Sequence, residues 1–189
     1  MVFFFTCISD PSIVIYMGKD KFENEDLIKF AWPQRDIWFH VAELSSAHVY
    51  LRVPEGVTNI KDIPAEIVQE CAQLTKANSI EGCKRDHVGI NYTWARNLKK
   101  TAGMDTGAVS FHKPKDVMFI KIEVDKQIVK TISKTKEERY PDLKKELEEE
   151  IASISAAERE KERALINAQK EEAKKNQMAE KEKADFFNS

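Results

Sequence analysis

His40 and His48, eight residues apart with Ser45 and Ser46 between them, are the side chains of this sequence best suited to chemistry. An imidazole can act as a general base, a metal ligand or a group that changes charge near neutral pH. A zinc site would need a third ligand from His87, His112, the cysteines or carboxylates, and no Cys-x-x-Cys spacing marks one. Neither serine sits in the Gly-x-Ser-x-Gly setting of a nucleophile elbow. Gly18-Lys19-Asp20-Lys21 lacks the further glycines and the Lys-Ser/Thr of a phosphate-binding P-loop. No catalytic residue, cofactor or metal is assigned. A histidine-dependent enzyme acting on RNA or a nucleotide stays open behind two readings based on recognition.

The stretch DIWFHVAELSSAHVYLR, residues 36–52, alternates as a pair of strands. Ile37, Phe39, Val41, Val49 and Leu51 share an apolar face; Asp36, Trp38, His40, His48, Tyr50 and Arg52 share the other. A hairpin symmetric about Leu44 sets His40 opposite His48, Trp38 opposite Tyr50 and Asp36 opposite Arg52. A one-residue slip would invert the faces of one strand. Rings beside cations can stack unpaired bases, each stack being worth about 1–3 kcal/mol. The same rings would serve equally as an interior beneath a covering helix. Cations gather at the ends of predicted elements: Lys19, then Lys84 and Arg85, then Arg96, Lys99 and Lys100, then Lys113 and Lys115 around Phe111. Side chains placed there can converge on phosphates. The expected contacts are base contacts from the hairpin and phosphate contacts from Lys19, Lys84, Arg85, Lys99, Lys100 and Lys113.

The elements that must hold these groups read as a single α+β domain over residues 1–133, with a mainly antiparallel sheet and packed helices, followed by a long charged helical tail over 134–189. Val2–Thr6 and Ile13–Met17 look like a hairpin about Ser9-Asp10-Pro11. Asn24 is placed to cap a helix through Leu27, Ile28 and Phe30 that ends before Trp32-Pro33. Between Pro64 and Ile80, Ile67, Cys71 and Leu74 mark a buried helical face. Val88–Thr93 and Val117–Val124 read as strands. A further helix is expected from Lys126 to Arg139, stopping at Pro141.

The tail from Lys134 holds 13 basic and 15 acidic side chains and residues 1–133 hold 17 of each, so the boundary is one of texture and not of net charge. Pairs such as Glu158/Lys161, Glu171/Lys175 and Glu180/Lys183 can meet on a helix surface. An apolar seam begins at Leu147, Ile151 and Ile154 and resumes at Leu165 and Ala168, but charged residues interrupt it. A solvated single helix is favoured over a coiled coil.

With 189 residues, 42% of them hydrophobic, the chain can bury a core, and its length suits one domain with an appendage. A net charge of −2 argues against a polycation held on nucleic acid by bulk charge. Met1–Phe5 is far shorter than the roughly 20 residues of a membrane span and has no basic leader before it. Three cysteines at unpaired spacings suit a reducing compartment, the cytoplasm first, with nucleus or membrane association open.

Gly18-Lys19-Asp20 with Asn24-Glu25, DIWFHV from Asp36, SAHVY from Ser46, the Ala77/Ser79 region, Tyr92-Thr93, Leu98-Lys99-Lys100 and Gly107 together resemble the NFACT-R family over residues 1–145. The resemblance implies a nucleic-acid-binding domain, RNA first, of the kind also found toward the C-terminal side of large ribosome-quality-control proteins. It implies a link to translation, and DNA binding at membranes is an alternative it leaves open. The larger relatives' N-terminal domain and helical modules are not expected here, so tail elongation on stalled ribosomes is not expected of this chain alone. The motif positions carried over are Gly18, Lys19, Asn24, Asp36, Trp38, His40, Ser46, His48, Lys99 and Lys100, which adds Asn24 to the binding set. Ala47 departs from the family, which often has glycine there. The expected partners are RNA or DNA, with a protein partner for the helical tail as the second reading.

Overall fold

The computed structural model describes the backbone of residues 1–187 and the side chains of residues 1–179. Along the chain come β1 (Val2–Thr6), β2 (Val14–Gly18), α1 (Lys21–Phe30), β3 (Asp36–Val41), β4 (Val49–Arg52), α2 (Ala65–Ala77), β5 (His87–Trp94), β6 (Leu98–Lys99), β7 (Ser110–Phe111), β8 (Met118–Glu123), α3 (Lys126–Ser133), β9 (Glu137–Arg139) and α4 (Leu143–Phe187). Seven strands form one antiparallel sheet in the order β8-β5-β3-β4-β2-β1-β9, and β6 pairs with β7 apart from it. The fold is α+β, and the hairpin expected at residues 36–52 supplies two of the central strands.

Alternation within each strand splits the sheet into two faces. One carries Ile15, Ile37, Phe39, Val49, Leu51, Ile90 and Ile122 against Ile67, Cys71 and Leu74 of α2 and Ile132 of α3. The other carries Val2, Tyr16, Trp38 and Tyr50 beneath Leu27 of α1 and Leu98, Val109 and Phe111 of the β6–β7 segment. The β3–β4 ladder sets Asp36 opposite Arg52 and Trp38 opposite Tyr50, the register expected from symmetry about Leu44. The ring centroids of His40 and His48 follow at 4.9 Å.

Two local expectations are corrected. The cap of α1 is Asp20, whose carboxylate accepts from the amides of Phe22 and Glu23 at 2.9 and 3.1 Å, while Asn24 lies inside the helix and is buried. Asp20 lies two residues past the end of β2, so capping from it starts the helix one turn earlier than capping from Asn24. The helix from Lys126 ends at Ser133, and Glu137–Arg139 instead pair with β1. Helix propensity is a weak prior, and the outer edge of β1 offers unpaired amides and carbonyls that a neighbouring strand satisfies. The Lys136 ammonium lies 3.6 Å from the Phe3 ring and the Arg139 guanidinium 4.8 Å from the Phe4 ring, which fastens this edge.

Residues Met1–Leu147 make one compact unit, so the texture change at Lys134 precedes its end. From Glu148 to Phe187 the chain is helix α4 alone, with Ile151, Leu165, Ile166 and Met178 exposed. The side chains of Glu180 and Lys183 lie outside the described residues. Among the described residues no helix is long and apolar enough to cross a membrane.

Candidate nucleic-acid interface

The polar face of the hairpin is an interior. Trp38 is 2% exposed, Tyr50 0% and His48 2%, because α1 and the β6–β7 segment cover them. The expectation that Trp38 and Tyr50 offer ring faces to bases is therefore corrected. Tyr50 stacks on Tyr16 at 5.0 Å, and Trp38 meets Phe111 edge-on at 5.7 Å. Strand periodicity alone cannot distinguish a platform from such an interior, since the cover comes from segments distant in sequence.

The Trp38 indole Nε1–H donates to His48 Nδ1 at 2.9 Å, so the neutral His48 ring keeps its proton on Nε2. Burial, then the neighbouring His40, push the His48 pKa down to about 4, and the Gly107 backbone opposes them as a hydrogen-bond partner. His40 stacks on Trp38 with centroids 5.5 Å apart and donates Nδ1–H to the Val41 carbonyl at 2.7 Å. Its pKa is lowered by burial. Both imidazoles are neutral at pH 7, and His40 is left with Nε2 as an acceptor. The Ser46 hydroxyl accepts from Val41 N and donates to Ala47 O, so it ties the hairpin end and is not paired with either imidazole.

Arg52 and Asp36 form a forked pair with both contacts at 2.9 Å, and the guanidinium lies 3.7 Å from the Trp32 ring. Asp36 also accepts from Tyr16 Oη and Trp32 N, so the Arg52 charge is spent inside the fold. Lys100 is spent likewise. Its ammonium donates to Glu25 at 2.8 Å, the Asp105 carbonyl at 2.7 Å and the Ala108 carbonyl at 2.9 Å, while Glu25 also accepts from Gly107 N at 2.6 Å. Burial would raise the Glu25 pKa, but the Gly107 amide and Lys100 outweigh it, and the pKa is lowered. This clasp bolts the loop between β6 and β7 onto α1 beside His48. The donors of Arg52 and Lys100, both expected to contact nucleic acid directly, are occupied by these internal contacts, which gives each a structural role.

Asn24 is buried against Gly18, where an added Cβ would lie 2.8 Å from Asn24 Oδ1, so this motif pair is a close packing of α1 on β2. Lys19, Lys99 and Lys113 are exposed and make no ion pair among the described residues. Lys84 and Arg85 are exposed too, but they follow α2 and belong to the layer on the opposite sheet face, with Arg85 3.6 Å from Glu81. The structure does not bring all the predicted cations onto one surface. Glu25, the hub of the clasp, is absent from the residues expected to bind. Its signal was its place beside Asn24 in the motif. Among the described residues no group of three His, Cys, Asp or Glu side chains is placed to hold a metal ion.

A model of the family described as NFACT protein RNA binding domain matches residues 1–113. The chain belongs to the NFACT-R family. The NFACT-R match spans the hairpin, the histidine pair and the clasp. Coiled-coil domain-containing protein 25 of Danio rerio is 57% identical over 150 residues, covering 78% of this chain and 72% of that protein. Its Dictyostelium discoideum homolog is 54% identical over 144 residues, covering 76% and 68%. The solved C-terminal part of the fibronectin/fibrinogen-binding protein from Streptococcus suis aligns with a TM-score of 0.57 at 19% identity, over 68% of this NFACT-R chain and 47% of that one, and shows the shared fold.

Proposed function

We propose that this chain is a non-enzymatic nucleic-acid-binding module whose first ligand is RNA. Membership of a family described as RNA-binding carries the reading. The exposed, unpaired Lys19, Lys99 and Lys113 support it as the phosphate contacts, with Lys84 and Arg85 as a separate basic site on the α2 layer. Trp38, His48 and the Glu25–Lys100 clasp hold the covering layer in place instead of touching bases. The cysteine usage supports a reducing cytoplasmic setting as part of this reading, and the family resemblance supports a place beside translation.

The test is a salt titration of the full chain against matched single-stranded RNA, single-stranded DNA and duplex. Binding should fall as salt rises, with RNA preferred. Lys99→Ala with Lys113→Ala should flatten the slope of log K against log salt by about 0.7 for each phosphate of a single strand that is no longer neutralised. An unchanged slope removes these lysines from the interface, and no binding at low salt overturns the reading.

The exposed Ile151, Leu165, Ile166 and Met178 favour a second reading in which α4 recruits a protein helix. In that case a chain ended at Leu147 keeps its fold and no longer binds the partner.

A further inference from the structure

Strand β8 puts Met118, Ile120 and Ile122 toward the α2-side core, and Phe119, Lys121 and Glu123 on the other face. The covering layer on that face reaches Trp38 through Phe111. Farther along, toward the β8 edge, the sheet face is open, and Phe119 is 62% exposed. Its ring is laid against Gly89 of β5. A Cβ added there would lie 2.4 Å from Phe119 Cε2 and 2.7 Å from Cζ, so only glycine provides this seat. One side of the ring rests on backbone and the other meets solvent.

The groups around the ring are polar. Asn91 pairs directly with Phe119 in the ladder and His40 pairs directly with Asn91, while exposed Lys121 pairs with Gly89. His40 offers the Nε2 acceptor left by its bond to Val41. The acid at the end of the strand, Glu123, is 3.6 Å from His87. A single ring among an amide, an imidazole and an ammonium is far smaller than the roughly 800 Å² per partner of a stable protein interface. It matches one flat base with a phosphate beside it.

We propose that Phe119, seated on Gly89 and flanked by Lys121, Asn91 and His40, is the base-stacking position for an unpaired nucleic-acid strand. The inference rests on the nucleic-acid reading and adds the surface on which a base sits. Phe119 lies beyond residue 113, where the family match ends. The sequence carried one trace of it: an aromatic in the polar phase of an alternating strand.

The experiment measures binding of the full chain to a fluorescein-labelled single-stranded RNA of mixed sequence, its DNA counterpart and a duplex. Phe119→Leu keeps an apolar side chain without a π face and should weaken single-strand binding about 5- to 150-fold, the range for one base–aromatic stack. Phe119→Trp should retain binding, and the duplex should be little affected by either change. Lys121→Ala should lower the salt slope by about 0.7. Urea midpoints check that each variant is folded. Wild-type binding unchanged by Phe119→Leu, or equal weakening for duplex and single strand, overturns the inference and leaves the wider reading standing. Failure of the wild-type chain to bind any probe at low salt overturns both.

Discussion

His48 accepts from Trp38 and lies under a sealed layer, so its charged form is disfavoured to about pH 4, against an ordinary value near 6.5. The unfolded chain takes up this proton first. Stability is therefore lost as pH falls through the window between about 6.5 and about 4, and levels off below it. Between pH 7.5 and pH 5 the loss should be about 2 kcal/mol, to which His40 adds in the same direction. Urea unfolding at the two pH values measures it, and His48→Gln should remove most of the difference. The two neighbouring lysines Lys99 and Lys100 should behave oppositely. Lys100→Ala breaks the clasp and should cost about 1–3 kcal/mol of stability by leaving Glu25 short of a partner, with the salt slope of binding unchanged. Lys99→Ala should do the reverse.

At the scale of elements, β9 is the piece that propensity hides. A chain ended at Ser133 lacks β9 and bares the outer edge of β1, and it should self-associate, while a chain ended at Leu147 should stay monodisperse at the same concentration. Sedimentation of the two fragments distinguishes them. The hairpin register was legible because period-2 alternation excludes every one-residue slip that would take Ile37, Phe39, Val49 and Leu51 off their shared side, and symmetry about Leu44 picks the pairing among the rest. The α2 face was legible for the same reason at helical spacing. What covers Trp38 and Tyr50 was not legible, because the covering residues Leu27, Leu98, Val109 and Phe111 come from segments on both sides of the hairpin. No local pattern in residues 36–52 records them. The strand at 137–139 was hidden for a related reason: its partner is the far end of the chain, while its own residues suit a helix.

Across the whole molecule, charge is divided unevenly. Residues 148–189 hold 8 basic and 11 acidic side chains, which leaves 22 basic and 21 acidic in residues 1–147, so the net −2 is +1 and −3 added together. Removing residues 148–189 should therefore leave nucleic-acid affinity intact or raise it at low salt. A large drop in affinity on truncation, read in the same titration, would move the binding surface to the tail. Both sheet edges, β8 and β9, are late in sequence, while the interior strands β2, β3 and β4 are early. Synthesis proceeds at about 5–20 residues per second. Strand β1 thus leaves the ribosome with one flank already destined for β2 and the other open until Arg139 is made, an interval on the order of ten seconds. The β1–β9 ladder needs residues made about 130 positions after its first strand, so the nascent chain carries that strand with one edge unmatched throughout the synthesis of the rest of the sheet.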